Sequence, residues 1–382
     1  MPDSNHTLTA PQGAFTLHRL PQRPHELLRA WDAADEYVLD FLAEQPFASN
    51  DRLLIVNDTF GALAVALHHL KPQAWSDSYL SQQATRLNLQ QNNLPEQSVK
   101  LTSSLESLEG VFDCVLIKVP KTLALLEDQL IRLRPHCQAD TRIIVAGMVK
   151  TLPPTVWKLL ERLIGTTSTS LAQKKARLIF VDFDENMAIP KNPYPVEYQL
   201  ENTDYWLINH ANVFSRDRLD IGTRFFLQHL PVKPNVTDII DLACGNGVVG
   251  LIAAERNPDA TLHFVDESFM AVASAQANFY RAFGNSREAQ FQIGDGLSDF
   301  AEQSADLILC NPPFHQQNTI GDQIAEQFFK QAKKVLKREG ELWIIGNRHL
   351  AYHQDFKRLF GNCTVVAGNV KFVICLAINK LS

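Results

Sequence analysis

Short apolar runs, each broken by glycine, proline or an acidic residue, set the rhythm of this chain. In the second half they are Ile239-Ile240-Asp241-Leu242, Leu262-His263-Phe264-Val265-Asp266, Phe291-Gln292-Ile293 and Ala305-Asp306-Leu307-Ile308-Leu309-Cys310. Runs this short and apolar read as strands of a buried, largely parallel sheet. The first enters the glycine turn Ala243-Cys244-Gly245-Asn246-Gly247 and then a helix-like apolar stretch. The second ends on Asp266, the third is followed by Asp295, and the fourth runs into Asn311. Ligands of open parallel sheets bind outside the C-terminal ends of their strands, where these polar residues fall.

The first half repeats the pattern. Leu53-Leu54-Ile55-Val56-Asn57-Asp58-Thr59-Phe60-Gly61 has the layout of the Asp241 loop, and Phe112 to Pro120 overlays Ala305 to Pro313 without a gap. Ser78 and Asn88 stand ten residues apart, as do Ser268 and Asn278. Yet Lys118 falls where Asn311 stands and Lys121 where Phe314 stands, and one glycine (Gly61) replaces three. The reading is an α/β protein of two tandem Rossmann-like folds, the first degenerate in its ligand-binding residues. Any two doubly wound domains share such a pattern, so similarity alone does not prove duplication. Pro190, Pro193 and Pro195 make a stiff connector, which places the domains at 1–190 and 191–382.

Asn311-Pro312-Pro313-Phe314 is the most informative stretch. Two prolines fix φ and remove two backbone donors, leaving carbonyls as acceptors. The Asn311 oxygen and the Pro312 carbonyl can accept both hydrogens of one planar amino group, and Phe314 offers a face for a flat ring. Asn-Pro also starts ordinary turns. Gly245, Gly247 and Gly250 satisfy G-x-G-x-x-G, and Asp266 lies nineteen residues beyond Gly247, as in a dinucleotide site. Asp241 argues against that ligand, because a carboxylate beside the loop repels a pyrophosphate. It suits the amino group and sulfonium of S-adenosylmethionine, with Asp266 on the ribose and Asp295 on the adenine amino group.

These motifs resemble those of class I methyltransferases that act on amino nitrogens. His210-Ala211-Asn212-Val213-Phe214-Ser215, Leu219-Asp220-Ile221-Gly222-Thr223, Asn311 to Gln317 and Asn347-Arg348-His349-Leu350 narrow the resemblance to bacterial ribosomal RNA guanine-N2 methyltransferases. It covers nearly the whole chain. It implies S-adenosylmethionine as cofactor, 23S ribosomal RNA as substrate, Asn311, Pro312 and Phe314 as catalytic, and Asp220, Gly222, Thr223, Asp241, Gly245, Gly247, Asp266, Asp295 and Asn311 around the cofactor. Asp220 reads equally as a helix cap. Ala243 departs from the family, standing where many such enzymes have their first glycine. The notch also suits adenine N6 or a protein glutamine N5. A non-catalytic RNA-binding protein is the third reading, against which the intact Asp241, Asp266 and Asn311 speak.

A net charge of −6 advertises no nucleic acid globally. Local basic faces still bind RNA. Arg142 to Arg177 carries seven basic residues and one acid, Glu161. Lys174, Lys175 and Arg177, with Lys118 and Lys121, are the candidate phosphate contacts, and a solvated helix face is the alternative. Six cysteines without a C-x-x-C pair argue against zinc and suit reduced thiols in a cytoplasm. No apolar run approaches the roughly 20 residues that span a bilayer. No obligate protein partner is evident, and two fused similar folds suit a monomer.

Overall fold

The computed structural model describes residues 5–22, 26–45, 47–48, 50–313, 319–350 and 352–380, and of 319–323 only the backbone. The chain forms two compact units, Met1–Tyr194 and Pro195–Ser382. Between the last strand of the first unit, Ala176–Phe183, and the first of the second, Val196–Gln199, lies no helix or strand.

Each unit holds a seven-stranded sheet of the same order. In the second the strands run Ala289–Ile293, Thr261–Asp266, Asp238–Leu242, Ala305–Cys310, Leu336–Asn347, Phe372–Ile378, Thr364–Gly368, the first five parallel and Phe372–Ile378 pairing antiparallel with both its neighbours. In the first unit the equivalents are Lys100–Ser103, Gln73–Ser76, Leu53–Val56, Cys114–Lys118, Arg142–Met148, Ala176–Phe183 and Gly165–Thr169. An antiparallel hairpin precedes each sheet, Thr7–Ala10 with Gly13–Thr16 and Val196–Gln199 with Trp206–Asn209. The central strands are buried end to end, because helices pack on both faces.

Local chemistry forms the same joints twice. Ser78 and Ser268 each cap a helix by accepting the amide three residues on, from Ser81 and Ala271. Asn88 bonds both backbone groups of His18 and the carbonyl of Phe60; Asn278 does the same with Ile208 and Asn246. Both side chains are buried, so each bond is made where water cannot replace it. Gly61 and Gly247 begin the following helices at φ 77° and 76°. A Cβ on Gly61 would lie 2.8 Å from the Thr85 Cα, and one on Gly247 would lie 2.9 Å from the Ala275 Cα. This internal bonding is shared by the two units and goes beyond a common layout.

Candidate functional site

The site of the second unit lies at the C-terminal ends of its parallel strands. Asp241 is 2% exposed, and its Oδ2 accepts the Gly250 amide at 2.8 Å. Gly250 is the third residue of the helix Val248–Arg256, so this carboxylate caps a helix start. Burial, with a contribution from Asp266, pushes the Asp241 carboxyl up to about 8. The connecting loop reverses direction through three positive-φ residues, Ala243 (58°), Gly245 (54°) and Gly247 (76°). Ala243 makes this turn despite its methyl group, at about 1–2 kcal/mol of local strain.

The three fingerprint glycines divide by task. A Cβ at Gly245 would meet nothing within 4 Å, so the backbone there is open to a ligand. Gly247 lets its helix close on Ala275, and Gly250 makes room for the Phe264 ring. Asp266, last residue of its strand, accepts the Gly245 amide on Oδ2 and the Ser268 amide on Oδ1, both at 3.0 Å. It therefore ties two strand ends together at the loop. Asp295 accepts from Gln327 Nε2 at 3.1 Å, and burial raises its carboxyl. Cys310 is buried beneath the notch, with its thiol pushed far up by burial, which makes it packing rather than a nucleophile.

Asn311 follows the strand Ala305–Cys310. Its Nδ2 donates to Thr223 Oγ1 at 2.9 Å, while its Oδ1 is buried and has no partner among the described residues. An unpaired buried acceptor costs about 1–3 kcal/mol and calls for an explanation. Thr223 sits in the first turn of the helix Ile221–His229, whose N-cap is Asp220. Asp220 Oδ2 accepts the Thr223 amide at 2.9 Å and faces its hydroxyl at 3.4 Å. Gly222 is needed for packing: a Cβ there would lie 3.0 Å from the Phe372 ring. Pro312 is buried beside Asn311. Phe314, with His315, Gln316 and Gln317, lies outside the described residues.

The first unit fills the corresponding place differently. Lys118, at the Asn311 position, sends its Nζ to Asp35 Oδ1 at 2.5 Å and Asp32 Oδ1 at 3.0 Å. Asp32 caps its helix as Asp220 does, and Asp35 stands where Thr223 stands. Burial would lower the Lys118 ammonium, but the two carboxylates more than offset it and hold it protonated. Ile55 replaces Asp241 and Ser76 replaces Asp266. The helix start that Asp241 caps through Gly250 is capped here by Asp58, through the amides of Ala62 and Ala64. The pocket is closed by an internal ion pair and lacks the ligand carboxylates.

That arrangement withdraws Lys118 from the candidate phosphate contacts, since its side chain is only 13% exposed and already paired. Arg177 is half-buried, with its Nε enclosed. Lys121, Lys174 and Lys175 are exposed, Lys174 resting on Glu36 at 2.6 Å. Lys174 and Lys175 form the tip of a two-residue hairpin, with φ of 47° and 65°. The links from Thr223 to Asn311 and from Lys118 to Asp32 and Asp35 escaped the sequence reading, because their partners are 88, 86 and 83 residues apart. The signal available was the overlay of the halves, which sets Lys118 on Asn311.

The second unit thus offers an open loop, three carboxylates at successive strand ends and a polar notch whose acceptor no described residue pairs, all fitting S-adenosylmethionine and an amino substrate. Residues 5–185 match the family model of the RLMG N-terminal domain and residues 204–376 that of the methyltransferase small domain. Over the whole chain the fold is similar to an N2 methyltransferase of 16S rRNA from T. thermophilus, solved with AdoMet and guanosine, at a TM-score of 0.77 and 20% identity, covering 98% of this chain and 97% of that one. Proteins named ribosomal RNA large subunit methyltransferase G are similar throughout. The one from Streptomyces griseus is 47% identical over 97% of this chain and 99% of its own length; that from Pseudomonas aeruginosa PAO1 is 50% identical over 96% and 98%. Identity of that extent, across both units, makes this chain a member of the ribosomal RNA large subunit methyltransferase G family.

Proposed function

We propose that this protein transfers a methyl group from S-adenosylmethionine to the exocyclic N2 of a guanine in 23S ribosomal RNA. The observation that carries the reading is the buried Oδ1 of Asn311 at the end of the strand Ala305–Cys310, without a partner among the described residues. It is an acceptor held ready for a donor that none of the described residues supplies. Family membership supports large-subunit ribosomal RNA as the source of that donor, and the motif resemblance supports guanine N2.

When bound, S-adenosylmethionine supplies an electrophilic methyl group on a positively charged sulfur. Asp241 and the open backbone at Gly245 would hold its amino-acid end, Asp266 its ribose hydroxyls and Asp295 its adenine amino group. Asp220, Thr223 and Gly222 shape the wall beside it. Asn311 Oδ1 and the Pro312 carbonyl accept the two hydrogens of the guanine amino group, which turns its delocalised lone pair out of the ring plane. Most of the gain is orientation. The nitrogen loses its proton after it has become positive, so no side chain has to act as a strong base, and water takes the proton. A base inside a helix cannot reach this notch; it is flipped or taken from a loop, and stacks on Phe314.

In this reading the unit Met1–Tyr194, whose own pocket is closed, serves to position RNA. Its hairpin tip supports the idea. Two consecutive residues at positive φ strongly favour Asn-Gly, yet the chain keeps Lys174-Lys175 there. Each costs about 1 kcal/mol relative to a residue at ease in that region, and what the site gains is two exposed cations. The protein would act as a monomer in the cytoplasm. Mass spectrometry of nucleosides from large-subunit RNA, incubated with labelled S-adenosylmethionine and the protein, tests the reading. Labelled N2-methylguanosine is expected; labelled N6-methyladenosine or an unlabelled digest would overturn it.

A further inference from the structure

The buried oxygen of Asn311 raises a question of polarity. An amide side chain can present either its oxygen or its NH2 group to a substrate, and only the oxygen can accept from an amino group. Something in the protein has to decide which end faces out. We infer that Asp220 decides it, through Thr223, and that these two are positioning residues for the methyl acceptor.

The argument is an accounting of protons. Asp220 Oδ2 is an acceptor only, and it already caps the helix by taking the Thr223 amide at 2.9 Å. The same oxygen lies 3.4 Å from Thr223 Oγ1. A threonine hydroxyl carries one proton, and beside a carboxylate that proton points at the carboxylate. Thr223 Oγ1 then has only lone pairs to offer to its other neighbour, Asn311, 2.9 Å away. Asn311 must meet a lone pair with a donor, so its Nδ2 faces Thr223 and its Oδ1 faces away, with no partner among the described residues. Thr223 is 6% exposed, so water does not compete for these positions. The relay runs from carboxylate to hydroxyl to amide and ends on an acceptor that no described residue pairs.

The first unit serves as an internal comparison. The same three positions hold Asp32, Asp35 and Lys118, and the third residue ends in an ammonium, which can only donate. There the chain closes on itself, and the third position offers no acceptor. The half that retains Asp241, Asp266 and Asn311 also retains a hydroxyl at the middle position.

This inference rests on the proposed methylation of an amino group, and its test separates the two. Asp220→Ala removes the acceptor, which frees the hydroxyl proton to bond Asn311 Oδ1 and lets the amide turn over, while Asp220→Asn can keep one oxygen on both the cap and the hydroxyl. Thr223→Val removes the hydroxyl at constant shape, and Thr223→Ser restores it. The first readout needs no substrate: the side-chain amide resonances of Asn311, assigned by their loss in Asn311→Asp, are followed by nitrogen-proton NMR. They should move in Thr223→Val and Asp220→Ala and stay in place in Thr223→Ser and Asp220→Asn. The second is N2-methylguanosine formation. Removing a preorganised group outright costs about 10²–10³ in rate, so misorienting it should lower kcat by about 10- to 100-fold. Thr223→Ser should recover most of kcat. Unmoved amide resonances in Thr223→Val would overturn the relay whatever the enzyme methylates. So would an unchanged kcat at saturating S-adenosylmethionine. Failure of the wild type to form N2-methylguanosine would instead overturn the reaction assignment and leave the amide readout standing.

Discussion

Lys118→Ala should destabilise the first unit and leave RNA binding alone. In the structure the Lys118 Nζ lies 2.5 Å from Asp35 Oδ1 and 3.0 Å from Asp32 Oδ1. The Asp35 side chain is 7% exposed, whereas that of Asp32 is 47% exposed, so water screens the second pair and most of the effect belongs to the first. Removing one partner of a buried pair leaves the other charge uncompensated and typically costs about 3–5 kcal/mol. A unit of this size loses about 2–4 °C of Tm per kcal/mol, so the shift should be on the order of 10 °C. Burial already raises the Asp35 carboxyl, and loss of the ammonium raises it further. A carboxyl with a raised folded-state pKa destabilises as pH climbs through the window above its unfolded value. The deficit of Lys118→Ala against wild type should therefore be full near neutrality and shrink as pH falls through the range in which Asp35 takes up a proton. Thermal melting across that range measures the total, and hydrogen exchange on peptides of residues 5–194 assigns it to the first unit. Lys118→Met combined with Asp35→Asn should regain most of the loss, because no unpaired charge remains. An unaltered melt accompanied by weaker RNA binding would refute the reasoning and return Lys118 to the phosphate contacts.

Asn311→Ala should lower methyl transfer by about 10²–10³ while leaving S-adenosylmethionine affinity nearly intact, and single-turnover assays beside calorimetry would show it. Asp266→Ala should weaken the cofactor far more than RNA, since a charged acceptor for two hydroxyls is lost; equal weakening of both, in paired titrations, would point to disruption of the Gly245 and Ser268 anchors instead. Burial holds the Asp241 carboxyl at about 8, so a cationic ligand must displace its proton. Affinity for S-adenosylmethionine should rise by up to about tenfold per pH unit below that value. Calorimetry in buffers of different ionisation enthalpy should detect proton release that Asp241→Asn lacks. Lys174→Asn with Lys175→Gly should raise stability by about 1–2 kcal/mol through relief of positive-φ strain, yet weaken RNA binding and flatten its salt dependence, as read by melting and by binding at two salt concentrations.

The sequence by itself determined the elements and their ligand logic. Strands buried on both faces cannot alternate, so runs such as Ile239 to Leu242 and Leu307 to Cys310 announce a parallel sheet before any contact is known. Such a sheet presents ligands only to its C-terminal strand ends, which is why Asp241, Asp266, Asp295 and Asn311 could be picked from the chain. The paired spacings of Ser78 with Asn88 and Ser268 with Asn278 exposed the repeat, because a shared internal bond needs its residues at fixed separation. Tertiary structure alone decided what each of these groups has left to offer. Gly247 and Gly250 read like Gly245 in sequence, but packing against Ala275 and Phe264 claims them and leaves only Gly245 open. Lys118 read as a free surface charge until folding set Asp32 and Asp35 beside it. Asn311 read as an acceptor, but the direction of its amide depends on Thr223, 88 residues away. Local pattern fixes which backbone a segment adopts; the partners of a polar side chain come from segments distant in the chain, and a group's chemistry is what remains after those partners are satisfied.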